Sequence, residues 1–81
     1  MAEVGEKEIL NLIEQALDVQ AGTITPITTA DDIAEWDSLG HLSIIACLDK
    51  FFNGRAAKIK DLATADSVQK ILQSLKDNAL L

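Results

Sequence analysis

Asp37-Ser38-Leu39-Gly40-His41 is the stretch of this chain in which chemistry is easiest to place. Ser38 carries a hydroxyl that can act as a nucleophile, and His41 stands one helical turn further on, within reach as a base. A Ser-His pair would make the chain a hydrolase. The surroundings such a pair needs are missing: there is no glycine-rich elbow and no evident oxyanion hole, and 81 residues are too few to enclose a substrate. Asp37 also reads as a helix N-cap, and a serine in the first helical position after such a cap is common and by itself needs no function. A third reading uses the helix end itself. Its unpaired amides and the positive end of its dipole favour a phosphate group, by about 0.3–1 kcal/mol at an exposed site. A serine placed there carries a phosphoester comfortably. Gly40, close to the third helical position, costs about 1 kcal/mol against alanine. Close approach of a partner, of an attached group or of irregular backbone entering the helix would each explain it.

The elements that must position this stretch are read from periodicity. Ile9, Leu10, Ile13, Ala16 and Leu17 recur at helical spacing and predict a first helix from Val4 to about Val19, with Glu6, Lys7, Glu14 and Asp18 toward water and Gly22 as a stop signal. Residues 21–36 form a long connection containing four threonines and the one proline, Pro26. Its apolar residues Ile24, Ile27, Ile33 and Trp36 are expected to tack it onto the core, and Thr29-Ala30-Asp31-Asp32 resembles a helix-opening box. The helix behind Asp37 runs to about Phe52. Ile44, Ile45, Leu48 and Phe52 form its core stripe, whereas Leu39, Leu42 and Ala46 form a second stripe on the Ser38 side. That second stripe is either a binding face or another wall of the core. Asn53-Gly54 ends the helix, a short helical piece follows around 58–63 with Ile59 and Leu62 inward, and Asp66 or Ser67 caps a last helix. In that helix Val68, Ile71, Leu72 and Leu75 face the core, and the tail from Asn78 is expected to fray. No strand, repeat or low-complexity segment is expected, so the fold class is all-α, in a single domain over residues 1–81.

Composition agrees. A hydrophobic fraction of 48% with few aromatics suits a core of leucine, isoleucine, valine and alanine, as in a helical bundle. A single cysteine excludes an intramolecular disulfide, which suits a reducing compartment. Glu3, Glu6 and Glu8 read against a secretory signal, and the near-apolar run from Leu42 to Leu48 is far too short to span a membrane. A soluble, cytoplasmic protein is expected. The net charge of −6 is unevenly spread: residues 1–49 hold ten acids and one base, residues 50–81 six bases and three acids. The acidic part reads against nucleic acid and anionic membranes and in favour of basic protein surfaces, unless the basic part pairs with it internally.

Asp37-Ser38-Leu39 at the head of an apolar helix, after a long loop, in a chain of this length, resembles the acyl carrier proteins. The resemblance covers nearly the whole chain, with Trp36-Asp37-Ser38-Leu39-Gly40-His41-Leu42 its most specific stretch. It implies a small four-helix bundle with a long loop between helices 1 and 2 and a short third helix. It implies 4'-phosphopantetheine attached covalently to Ser38 by a phosphopantetheinyl transferase, with Asp37 assisting that enzyme's magnesium ion. The arm's thiol would carry an acyl or aminoacyl group as a thioester, supplied by a loading enzyme and passed to downstream transferases. The carrier would be a monomer that catalyses nothing and needs no resident metal. Leu39, Leu42 and Ala46 match the positions through which carriers meet partners, with His41 and Trp36 further candidates for that face. Ile44, Ile45, Cys47, Leu48 and Phe52 match the core, so Cys47 is expected to be an ordinary buried thiol. Gly40, Ser43 and Lys50 stand where fatty-acid carriers commonly have acids, and Arg55, Lys58 and Lys60 make the next segment basic. This chain is therefore more similar to stand-alone carriers of secondary-metabolite, cell-envelope or aminoacyl pathways. Asp-Ser in place of His-Ser leans toward an acyl carrier over a peptidyl carrier. The alternative from another class is an unmodified helical interaction module that uses the Leu39, Leu42 and Ala46 face.

Overall fold

Three helices of ten residues or more and one short helix make up the regular structure of a computed structural model that describes residues 5–81. They are α1 (Glu6–Leu17), α2 (Ser38–Phe51), α3 (Lys60–Ala63) and α4 (Val68–Asp77), and no strand occurs among the described residues. None of these helices is long and apolar enough to cross a membrane. Val4, where periodicity begins the first helix, lies outside the described residues. The expected stripes form the core: Ile9, Ile13 and Leu17 of α1, Ile44 and Leu48 of α2, Leu62 of α3, and Val68, Ile71, Leu72 and Leu75 of α4 are all buried. The α1–α2 interface is the largest, and the short α3 packs between α2 and α4.

The three longer helices end in the same way. Asp18, Asn53 and Ala79 each take a left-handed conformation, with φ of 56°, 57° and 60°. The next amide then reaches five residues back: Val19 N to Glu14 O (3.1 Å), Gly54 N to Asp49 O (2.8 Å) and Leu80 N to Leu75 O (2.9 Å). Each closure satisfies a terminal carbonyl that the helix itself cannot. The Asn53-Gly54 expectation holds, but the stop of α1 lies at Asp18, well before Gly22. The tail does not splay away either. Leu80 and Leu81 pack, partly buried, against the core, and Asn78 donates from Nδ2 to the Ser74 carbonyl at 2.8 Å.

Residues 18–37 contain only a three-residue 3₁₀ turn, Ala30–Asp32, within the expected Thr29–Asp32 box, where Thr29 N donates to the Asp32 carboxylate at 3.0 Å. Apolar tacking holds for Ile24 and Trp36, which are buried, and in part for Ile33. It fails for Ile27, which is 76% exposed. Polar anchors hold the connection instead. The Glu14 side chain, expected in water, is only 5% exposed, and its Oε2 accepts from Gly22 N (2.8 Å) and Ile24 N (3.1 Å). Further on, Thr29 and Ser67 pair as an isolated antiparallel bridge, with Ala30 N on Asp66 O at 2.8 Å and Val68 N on Thr28 O at 2.9 Å. Ser67 is the residue that caps α4, accepting from Lys70 N at 3.2 Å.

Two predictions follow from these anchors. Glu14→Ala strands two loop amides without their acceptor and is expected to lower unfolding free energy by about 2–4 kcal/mol in urea titrations, whereas Ile27→Ala changes it by less than about 0.5 kcal/mol. At the other anchor, the Lys70 ammonium lies 2.9 Å from Asp66 and holds its carboxyl below the ordinary value of 3.8, first by hydrogen bonding and then by charge. The pair stabilises the fold above that value and stops doing so as pH falls through the lowered one. Carboxyl-carbon NMR titration of Lys70→Met should find the Asp66 transition moved back up toward 3.8.

Candidate functional site

The first turn of α2 is held by three parts of the chain: residues 35–41, Leu17 of α1 and Leu62 of α3. Asp37 precedes the helix in extended conformation, and its Oδ1 accepts from Gly40 N at 2.8 Å while its carbonyl accepts from His41 N at 2.8 Å. This is the expected cap. It fixes the start of the helix at Ser38, so Ser38 occupies the first helical position, where the backbone amides have no intrahelical acceptor. Ser38 is exposed, as are its neighbours Asp37 and Leu39.

Gly40 explains how the approaching chain can lie so close. A Cβ on residue 40 would collide with the Glu35 carbonyl oxygen and would lie 2.9 Å from Leu17 Cδ2. Of the reasons for a glycine here, irregular backbone entering the helix is the one the structure bears out. The missing side chain lets both the loop and the end of α1 press against the first turn of α2.

Trp36 and His41 complete the brace. Trp36 Nε1 donates to His41 Nδ1 at 3.0 Å, and the two rings lie nearly parallel, with centroids 6.2 Å apart. Because Nδ1 accepts, the ring proton belongs on Nε2, which faces the Leu62 carbonyl of α3 at 2.9 Å and donates to it. Both nitrogens of His41 are therefore engaged away from Ser38, and the Ser-His pair of a hydrolase is not formed. Trp36 is only 5% exposed and serves the core, which leaves it almost no surface for a partner, and His41 is half-buried. Packing explains both: an indole buried in the core needs an internal acceptor for its N–H, and His41 supplies it.

The second stripe of α2 stands in solvent. Leu39 is 75% and Leu42 62% exposed, and Ala46 is exposed with them. These side chains form a bare apolar face beginning beside Ser38, and of the two readings of that stripe the second wall of the core is excluded. Two neighbours are less buried than expected. Ile45 and Cys47 are half-buried, because they flank the Ile44–Leu48 line on α2 and do not lie on it. Phe51, not singled out by periodicity, is 40% exposed and meets Phe52 edge-on, with ring centroids 5.1 Å apart. Adjacent phenylalanines at a helix end cannot both face inward, which is the one signal that could have found it. Nothing in the sequence pointed to the Glu35 or Leu62 carbonyls, which are main-chain groups. Among the described residues no cluster of histidine, cysteine or acidic side chains could hold a metal ion.

The brace gives a prediction whose sign is opposite to that for an ordinary helix glycine. Gly40→Ala gains about 1 kcal/mol of helix propensity, but it must displace a backbone carbonyl and is expected to lower stability by about 1–3 kcal/mol overall. Urea unfolding measures the loss, and amide shifts at Glu35 and Trp36 report the displaced loop.

In comparisons with known proteins, no family model, no curated protein and no solved structure matches this chain.

Proposed function

We propose that the chain is a discrete acyl carrier protein, modified at Ser38 with 4'-phosphopantetheine and serving a dedicated biosynthetic pathway. The observation that carries this reading is an exposed serine in the first position of a capped 14-residue helix, at the head of a bare apolar stripe. Four helices and a long anchored connection suit the small bundle that carriers form. The residues suit the arm. Ser38 offers an accessible hydroxyl, the free amides of the first turn favour its phosphate, and among the described residues nothing covers Ser38. When attached, the arm supplies a thiol that holds an acyl or aminoacyl group as a thioester.

The chain's own residues then have distinct tasks. Asp37 holds the helix start and presents its exposed carboxylate beside the serine, where a transferase's magnesium ion would meet it. Trp36, Gly40 and His41 keep the approaching loop against α2, so that Ser38 is presented on a rigid turn. Leu39, Leu42 and Ala46 give partner enzymes an apolar surface next to the tether. On this reading the protein is a cytoplasmic monomer that catalyses nothing itself, and the chemistry belongs to the transferase, the loading enzyme and downstream transferases.

The bare stripe also favours a second reading, an unmodified interaction module whose whole function is the Leu39, Leu42 and Ala46 face. Intact mass after incubation with coenzyme A and a broad-specificity phosphopantetheinyl transferase separates the two. The carrier gains the mass of one arm, and Ser38→Ala abolishes the gain. No gain in the unaltered chain, or one that survives Ser38→Ala, refutes the carrier, and partner binding unaffected by that substitution then supports the module.

A further inference from the structure

His41 is the one histidine of the chain and Trp36 its one tryptophan, and they are joined in a way that admits a single protonation state. An indole N–H can only donate, so the 3.0 Å bond from Trp36 Nε1 needs a bare lone pair on His41 Nδ1. The Leu62 carbonyl can only accept, so the 2.9 Å contact to Nε2 needs a proton there. The neutral ring with its proton on Nε2 satisfies both. An imidazolium carries a proton on each nitrogen and offers no acceptor, so it keeps the Leu62 bond and loses the Trp36 bond. The retained bond gains a charged donor and is strengthened. One proton therefore acts on the two ties in opposite senses.

The loss falls on the loop side of the ring. Trp36 is nearly buried, and a nearly buried N–H that loses its acceptor costs free energy, which the indole recovers by moving toward water. Trp36 is joined to Glu35, whose carbonyl lies in the space that a side chain on residue 40 would fill, and to Asp37, whose carboxylate caps α2. Moving the indole therefore pulls on the contact that seats the loop against the first turn of α2. Each element that meets this turn carries charge: Asp37 at the cap of α2 itself, Glu35 on the loop, Asp18 at the end of α1, Lys60 and Asp61 on α3, and Asp66 with its partner Lys70 at the head of α4. Asp66 is near enough for a charge on His41 to act on it, after the larger effect of Lys70. All seven groups are exposed, so water screens their pull, and the meeting of two donors at Nδ1 decides which state of the ring the brace accepts.

We propose that the Trp36–His41–Leu62 brace is a proton-operated latch: protonation of His41 releases Trp36 and the loop that enters α2, while α3 stays tied to the ring. The first turn of α2, with Ser38 exposed on it, then loses one of the ties that seat the loop against it. The device belongs to the unmodified chain and does not depend on what Ser38 carries.

The unmodified chain, isotope-labelled and free of any histidine tag, is followed by NMR from about pH 8 to about pH 5 at constant salt. With one histidine and one tryptophan, the ring nitrogens and the indole N–H are assigned by inspection. At the upper end the ring proton is expected on Nε2. As the ring takes its second proton, the protection factor of the indole N–H should fall about tenfold in the same pH interval. The amides of Glu35, Trp36 and Gly40 should shift in step, those of Leu62 and Ala63 should hold, and circular dichroism should report an intact fold. His41→Gln offers the indole an acceptor oxygen that does not titrate, and its indole protection is expected to stay level across the range. If that variant fails to fold, Trp36→Phe serves: its ring still protonates, and the Glu35 and Gly40 amides should no longer follow. A ring proton on Nδ1 at the upper end overturns the proposal. So does indole protection that is unchanged while the ring protonates, movement of the Leu62 and Ala63 amides together with it, or a ring that stays neutral until the whole chain unfolds. An acid response that persists in the glutamine variant would assign it to Glu35 or Asp37 and overturns the proposal equally.

Discussion

The surroundings of Ser38 depend on the Glu35 carbonyl lying where a side chain on residue 40 would have to be. That contact lets the connection descend onto the first turn of α2 and carries Trp36 under the helix start, where its N–H finds His41. His41 in turn reaches the Leu62 carbonyl, so one aromatic pair ties the loop, α2 and α3 together. A four-residue helix such as α3 has too few internal hydrogen bonds to persist by itself. Its position is set by Leu62, buried below, and by that ring above. The exposed serine thus sits on a turn held from behind.

The long connection illustrates how a small domain orders irregular backbone. Each loop amide that leaves water must find an acceptor, and apolar contacts alone do not supply one. Glu14 and the Thr29–Ser67 pairing do so from within α1 and from the start of α4. Burying a carboxylate is tolerated because backbone donors converge on it. The connection is thereby attached to both outer helices, while Ile27 is left free in solvent.

Charge is distributed by a different logic. Among the described residues the acidic and basic parts of the chain scarcely neutralise one another, because only Lys76 meets Glu6 across the fold. Exposed pairs contribute little to stability, so packing decides where the charges stand and leaves a basic segment exposed at the end of α2. The result is a molecule of net charge −6 whose residues 50–60 carry four bases and no acid.

Much of this was legible in order along the chain. The helical periodicities of Ile9–Leu17, Ile44–Leu48 and Val68–Leu75 demanded three amphipathic helices, and Asp37 demanded a helix start at Ser38, because both signals are local and repeat within one or two turns. The exposure of Leu39, Leu42 and Ala46 was readable only as an excess of apolar residues over what one face can bury, and the packing had to choose between a second core wall and a bare face. Other features had no local signal. Glu14 resembled any solvent-facing acid until residues 22 and 24 folded onto it, and His41 resembled a surface candidate until its ring met Trp36 and the Leu62 carbonyl of α3. Gly40 showed only that a side chain was unwelcome, without saying what took its place. In each case the deciding partner is a main-chain group or a side chain from another element. Sequence thus determined which segments are helical, where Ser38 sits and which residues are apolar, whereas tertiary packing alone determined which polar groups are buried and which cations stay free.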